Sequence, residues 1–148
     1  MCEYCGCQDV EAIAELTREH DAVVNLIGDV RAAHARGDVP AMARTAERIA
    51  AILGPHTEVE EHGLFPLLSG DFPDQVAALE DEHRRMEKVL AGSPDDPRWP
   101  EELLAALEML REHILKEQDG VFPAALTALS GDDWDAVDAA RRRAGSAV

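Results

Sequence analysis

Apolar residues recur at spacings of three and four along most of the chain, which is the period of an amphipathic α-helix. In the first such stretch, Leu16, Val23 and Ile27 lie on one stripe. This stretch predicts a helix over about residues 9–36 that ends at Gly37. No segment alternates apolar and polar residues as a half-buried strand would. The pattern therefore favours an all-helical (all-α) fold.

Further stripes predict three more long helices and a short one. Asp38 and Pro40 open the second helix, because Asp is a favoured N-cap and proline is tolerated in the first turn. Gly70 closes it, and Gly54-Pro55 predicts a kink inside it. The other helices are predicted over about residues 73–91, 100–129 and 132–143. Long amphipathic helices with short connections predict an up-down-up-down four-helix bundle with a short C-terminal helix.

The length of 148 residues fits one domain, since a chain of this size buries enough apolar surface to fold by itself. We assign residues 9–148 to the bundle and residues 1–8 to a cysteine-containing N-terminal tail. Cys2, Cys5 and Cys7 lie too close together to form a disulfide framework that joins distant segments. Either the tail is a flexible, reduced segment, or its thiols bind metal or take part in redox chemistry.

The chain contains two copies of one pattern. Residues 56–66 and 113–123 both read His-x-x-x-Glu-x-x-Gly-(Leu/Val)-Phe-Pro. His20 and His83, on the first and third predicted helices, both end a Leu-x-x-Glu-His sequence. Each half of the chain is thus a helical hairpin that supplies a lone His and then a His-x-x-x-Glu pair.

Residues four apart lie on one face of a helix, so each pair presents an imidazole and a carboxylate to one point. A charged carboxylate in the apolar seam of a bundle is costly unless it is paired or bound to a metal. A single His followed by an acid is common and is weak evidence for a site. Two such pairs in matching segments, with two matching lone histidines, indicate a metal centre. The expected ligands are His20, His56, Glu60, His83, His113 and Glu117.

Four imidazoles and two carboxylates suit a pair of first-row transition metals better than a single ion. Each metal would take two His and one oxygen from each bridging Glu. An oxo or hydroxo bridge would add a fifth ligand and leave one position open for a small molecule.

These motifs resemble those of the hemerythrin-like (HHE cation-binding) family over about residues 10–130. The resemblance implies a four-helix bundle that holds two Fe ions, and it gives the six residues above the ligand roles, with Glu60 and Glu117 bridging. It also implies a function in binding or sensing oxygen, nitric oxide or peroxide. The alternatives are a di-iron oxidoreductase that handles peroxide or nitric oxide, and an iron donor in the repair of iron-sulfur clusters.

The sequence departs from the oxygen-carrying members of that family on the third helix. Those proteins have a second His there, whereas the residues four positions either side of His83 are Leu79 and Glu87. Glu87 is either a further ligand or, more commonly for such a residue, a surface carboxylate. With one imidazole fewer, reversible oxygen carriage is disfavoured relative to redox turnover.

Charge narrows the choice of partners. The 30 Asp and Glu outnumber the 14 Lys and Arg, which gives a formal net charge of -16 at pH 7. A field of this sign repels phosphate backbones and anionic lipids, so we expect neither nucleic acid nor a membrane as a partner. The sequence shows no signal peptide and no stretch apolar enough to span a bilayer, and we therefore expect a cytoplasmic location.

Overall fold

The computed structural model describes the backbone of residues 7–148 and the side chains of residues 11–148. The expectations for the thiols of Cys2, Cys5 and Cys7 lie outside these side chains. The described chain forms the helices α1 (Cys7–Ala35), α2 (Val39–Val59), α3 (Phe65–Leu68), α4 (Pro73–Leu90), α5 (Trp99–Lys116), α6 (Phe122–Ala128) and α7 (Gly131–Ala144). A first π-helical segment, Glu60–Leu64, joins α2 to α3, and a second, Glu117–Val121, joins α5 to α6.

The helices form an antiparallel bundle, which confirms the predicted fold class. Its four long rods are α1, the continuous α2 to α3 unit, α4 and the continuous α5 to α6 unit. Each hairpin packs on itself, α1 on α2 and α4 on α5, and the hairpins meet through α1 with α5 and α2 with α4. The short α7 packs on α1, α2 and the first π-segment. It therefore covers one half of the duplicated structure.

Local sequence signals set the helix ends. The Asp38 side chain accepts a hydrogen bond from the Ala41 backbone N–H at 3.0 Å, which confirms the predicted N-cap of α2. Gly37 ends α1 with a φ of 71°, a left-handed conformation that glycine adopts without steric cost. Pro55 lies inside α2, which continues through it to Val59.

The core has two apolar layers with a polar layer between them. One layer includes Ile27, Ile49 and Leu107, and the other includes Leu16 and Phe65. Along each rod the predicted site residues lie where the positions that feed one layer give way to those that feed the other. The bundle therefore encloses the polar groups on both sides with close-packed hydrocarbon, which strengthens electrostatic interactions among them.

No helix in the described part of the chain is long and apolar enough to cross a bilayer.

Candidate metal centre

All six predicted site residues point into the polar layer of the bundle. α1 and α4 each supply a lone His, α2 and α5 each supply a His in their last turn, and each π-segment begins with a Glu. None of the six is more than 7% exposed, and the two glutamates are fully buried. The set consists of His20, His56, Glu60, His83, His113 and Glu117.

The six residues form two overlapping groups. His20 and His56 lie with both glutamates in one group, and His83 and His113 lie with the same two glutamates in the other. Within each group the ligand atoms are all within 4.8 Å of one another. Because Glu60 and Glu117 belong to both groups, the arrangement suits two metal ions that share two carboxylates.

The imidazole Nε2 atoms face the carboxylates. His56 Nε2 is 2.6 Å from Glu60 Oε1, and His20 Nε2 is 3.0 Å from Glu117 Oε1. His113 Nε2 is 3.4 Å from Glu117 Oε2. The Nε2 atoms of His83 and His113 are only 3.1 Å apart. Two nitrogen lone pairs at that separation repel unless a proton or a cation lies between them.

Several carboxylate oxygens in the centre lack hydrogen bonds. Among the described residues, Oε2 of Glu60 and Oε2 of Glu117 have no hydrogen-bond partner, and Oε1 of Glu60 lies 2.6 Å from His56 Nε2. Burial alone would raise the pKa of Glu60, but the charge of His56 and its hydrogen bond to Glu60 lower it to about 2. Burying an ionised carboxylate costs free energy when some of its oxygens have no donor. The donor set therefore fits a bound cation.

Each imidazole is oriented by a second hydrogen bond at its other nitrogen. Its Nδ1–H donates to a side-chain oxygen, which leaves Nε2 free to bind a metal. The four bonds are His20 to Gln118 Oε1 at 2.7 Å, His56 to Glu19 Oε1 at 2.9 Å, His83 to Glu61 Oε2 at 2.6 Å and His113 to Glu82 Oε1 at 2.8 Å. These acceptors hold a proton on Nδ1 of all four rings and turn Nε2 toward the two glutamates.

The Phe of each Phe-Pro motif packs on an imidazole of the other hairpin. Phe65 stacks on His83 with a centroid distance of 5.8 Å, and Phe122 stacks on His20 at 5.5 Å. The interplanar angle is 8° in both pairs. The repeated Phe therefore holds the lone His of the opposite hairpin against the centre.

Sequence similarity agrees with this geometry. A sequence model of the hemerythrin HHE cation binding domain matches residues 11–125, which is most of the chain and includes all six candidate ligands. The chain belongs to this family. Comparisons with curated proteins and with solved structures gave no match.

The π-segments of this hemerythrin domain lie at equivalent positions in the two repeats. In each one, the N–H of the Phe donates to the carbonyl of the Glu five residues earlier, Phe65 to Glu60 and Phe122 to Glu117. The next residue is a proline, which has no N–H and whose ring clashes with the carbonyl four residues before it. The wider turn accommodates the proline while both glutamates stay on the inner face.

Sequence reasoning missed the outer hydrogen-bond acceptors. Glu19 and Glu82 immediately precede the lone histidines, and Glu61 and Gln118 immediately follow the two glutamates that belong to both groups. The first two belong to the repeated Leu-x-x-Glu-His sequence, which is the signal that could have identified them. Their roles depend on contacts between helices, which spacing along one helix does not reveal.

Two further polar residues near the ligands, Glu87 and His62, face solvent. Glu87 belongs to neither ligand group: its side chain is 58% exposed, and it pairs with Arg84 at 3.4 Å. It is therefore a surface carboxylate. His62 is also exposed, and its Nε2 atom lies 3.6 Å from Glu58 Oε2.

A cavity of about 190 Å³ leads to the hemerythrin centre from one side. Exposed residues, among them Gly54 and Ala91, line its outer end, and the four ligand-type histidines line its inner end. Its walls are mostly apolar and include Leu53, Met86, Leu90, Leu110 and Ile114. The cavity offers an uncharged small molecule a route to the imidazole edges.

Proposed function

We propose that this hemerythrin domain holds two iron ions and binds or senses a small ligand there, namely oxygen, nitric oxide or peroxide. In this proposal His20 and His56 ligate one iron, His83 and His113 ligate the other, and Glu60 and Glu117 bridge them. The observation that carries it is the pair of buried ligand groups that share both glutamates. Iron, when bound, supplies the redox-active positions at which the small ligand is held.

The choice of a small, uncharged ligand rests on the cavity and the charge. The apolar walls offer few hydrogen bonds to a polar organic substrate. The net charge of -16 repels anions from the whole molecule. Oxygen, nitric oxide and hydrogen peroxide are all neutral at pH 7 and are smaller than the cavity.

The chain's own residues prepare the centre for metal. The acceptors behind the four rings hold every Nε2 toward the two carboxylates. Hydrocarbon layers above and below shield the centre from bulk water at the two ends of the bundle. Such preorganisation lowers the cost of assembling ligands around each ion.

A second candidate function is redox turnover of peroxide or nitric oxide. It is favoured by the position of Glu87 in solvent, because each iron then receives four protein ligands and keeps open positions. An iron donor for cluster repair is the third candidate, and its expected exit route would involve the N-terminal thiols.

The proposal is tested by spectroscopy of the iron-loaded protein. The diferrous form is exposed anaerobically to nitric oxide, and in separate samples to oxygen and peroxide, while the visible spectrum is followed. A new band at one ligand per centre, reversed by removal of the ligand, supports binding or sensing. Loss of substrate over many turnovers supports the oxidoreductase, and transfer of iron to an apo-cluster protein supports the donor. No spectral response to any ligand would contradict the proposal.

A further inference from the structure

The internal repeat provides a comparison between the two halves of the centre. The residue before each lone His plays the same part in both hairpins: Glu19 accepts from His56, and Glu82 accepts from His113. Both acceptors are carboxylates. At these two positions the two halves of the centre therefore have the same kind of hydrogen-bond acceptor.

The residue after each shared Glu breaks that equivalence. Glu61, after Glu60, accepts from His83 through a carboxylate oxygen. Gln118, after Glu117, accepts from His20 through a neutral amide oxygen. The Gln118 oxygen also accepts a hydrogen bond from the Thr17 hydroxyl at 3.3 Å. Of the four imidazoles, His20 is therefore the one whose Nδ1–H donates to an uncharged acceptor.

A carboxylate behind a metal-bound His makes the ring a stronger ligand, because it stabilises positive charge on the imidazole. An amide oxygen, which is uncharged, stabilises that positive charge less. We propose that Gln118 makes the two metal positions unequal, so that the ion held by His20 and His56 is bound more weakly and leaves first. This inference rests on the proposed dinuclear centre and adds to it an order of loading and release.

Surface cations reduce this difference without removing it. Arg84 pairs with Glu61 at 2.5 Å, and Lys116 pairs with Glu82 at 2.7 Å. Both cations are 54% exposed, so solvent screens their effect on the carboxylates. Glu19 is buried and keeps His56 a strong ligand. Of the two histidines that hold the more weakly bound ion, only His20 is thus the weaker ligand.

The repeat also supplies matched variants for the test. Gln118→Glu gives His20 the carboxylate that His83 has, and Glu61→Gln gives His83 the amide that His20 has. Cobalt(II) is titrated anaerobically into metal-free wild type and each variant, with a competing chelator, and the two dissociation constants are fitted. His20→Ala assigns the steps, since it removes the step that depends on His20.

In wild type we expect two resolved steps, with the weaker one absent from His20→Ala. Gln118→Glu should tighten the weaker step by about 10-fold to 100-fold, and Glu61→Gln should weaken the tighter step by a similar factor. Equal dissociation constants in wild type, or constants that Gln118→Glu leaves unchanged, would overturn the inference. Either of those results would still be compatible with a dinuclear centre. Binding of fewer than two cobalt ions by wild type would refute both the dinuclear centre and the proposed order of release.

Discussion

Gly63 and Gly120 occupy the same position in the two repeats, but only Gly63 lies beneath another helix. A Cβ atom added at Gly63 would come within 2.8 Å of the Cβ of Ala140 on α7, and within 3.4 Å of the Cα of Val137. A Cβ added at Gly120 would meet no described atom within 4 Å. The duplicated hairpins thus differ in how closely a neighbour approaches them.

This difference predicts opposite effects of one substitution. Gly63→Ala should lower the free energy of unfolding by about 1–3 kcal/mol, because α7 must move away from a Cβ that cannot rotate. Gly120→Ala should raise it by about 0.4–1 kcal/mol, since alanine restricts the unfolded chain and meets open space. Urea denaturation of the metal-free proteins measures both values. Equal effects would show that α7 does not rest on Gly63.

Metal uptake should release a proton. Burial would lower the pKa of His56, but Glu60 and Glu19 raise it to about 9, so this ring is protonated in the metal-free protein at neutral pH. Burial lowers the pKa of His20 to about 4, so that ring is already neutral. A metal ligand must be neutral imidazole, and the ion therefore displaces about one proton from His56.

Calorimetry in buffers of different ionisation enthalpy measures this release. Zinc binding at neutral pH should release about one proton from His56, and the apparent affinity should rise by about tenfold per pH unit until the pH reaches the pKa of His56. Above that pH the dependence should vanish. A heat of binding that is independent of the buffer at neutral pH would contradict the assignment.

The apolar cavity should control access to the centre. Leu53 is half-buried in its wall, so Leu53→Trp should narrow the route and slow nitric oxide binding to the diferrous protein by about tenfold. Leu126→Trp is the matched control, because Leu126 is 45% exposed and does not line the cavity. Stopped-flow spectroscopy gives both rates. Identical rates in the two variants would show that the ligand enters by another route.

Much of the fold could be predicted from the sequence because amphipathic periodicity and capping residues are local. The helix predicted over about residues 132–143 is α7, Gly131–Ala144, and it begins with the Ser130 and Asp133 capping box. The sequence did not predict where α7 packs, since its contacts with α1 and the first π-segment join residues distant in the chain. Nor did it predict the π-segments, although Pro66 and Pro123 lie at the same distance after the two glutamates.

The candidate site was predictable for a different reason. Duplication repeats the His-x-x-x-Glu pair and the lone His, which separates them from the many other acids in this chain. The orienting acceptors were not predictable in the same way. Glu61 serves His83 and Gln118 serves His20, each across the interface between the hairpins, and such pairing requires the folded arrangement.

Metal stoichiometry tests the central claim most directly. Wild-type protein and the variants Glu60→Gln and Glu117→Gln are loaded with iron anaerobically, freed of loosely bound metal, and measured by elemental analysis and Mössbauer spectroscopy. The account predicts about two iron ions per chain for wild type and no more than about one for either variant, because each loses a shared carboxylate. Fewer than one iron per wild-type chain, or two irons retained in both variants, would contradict it.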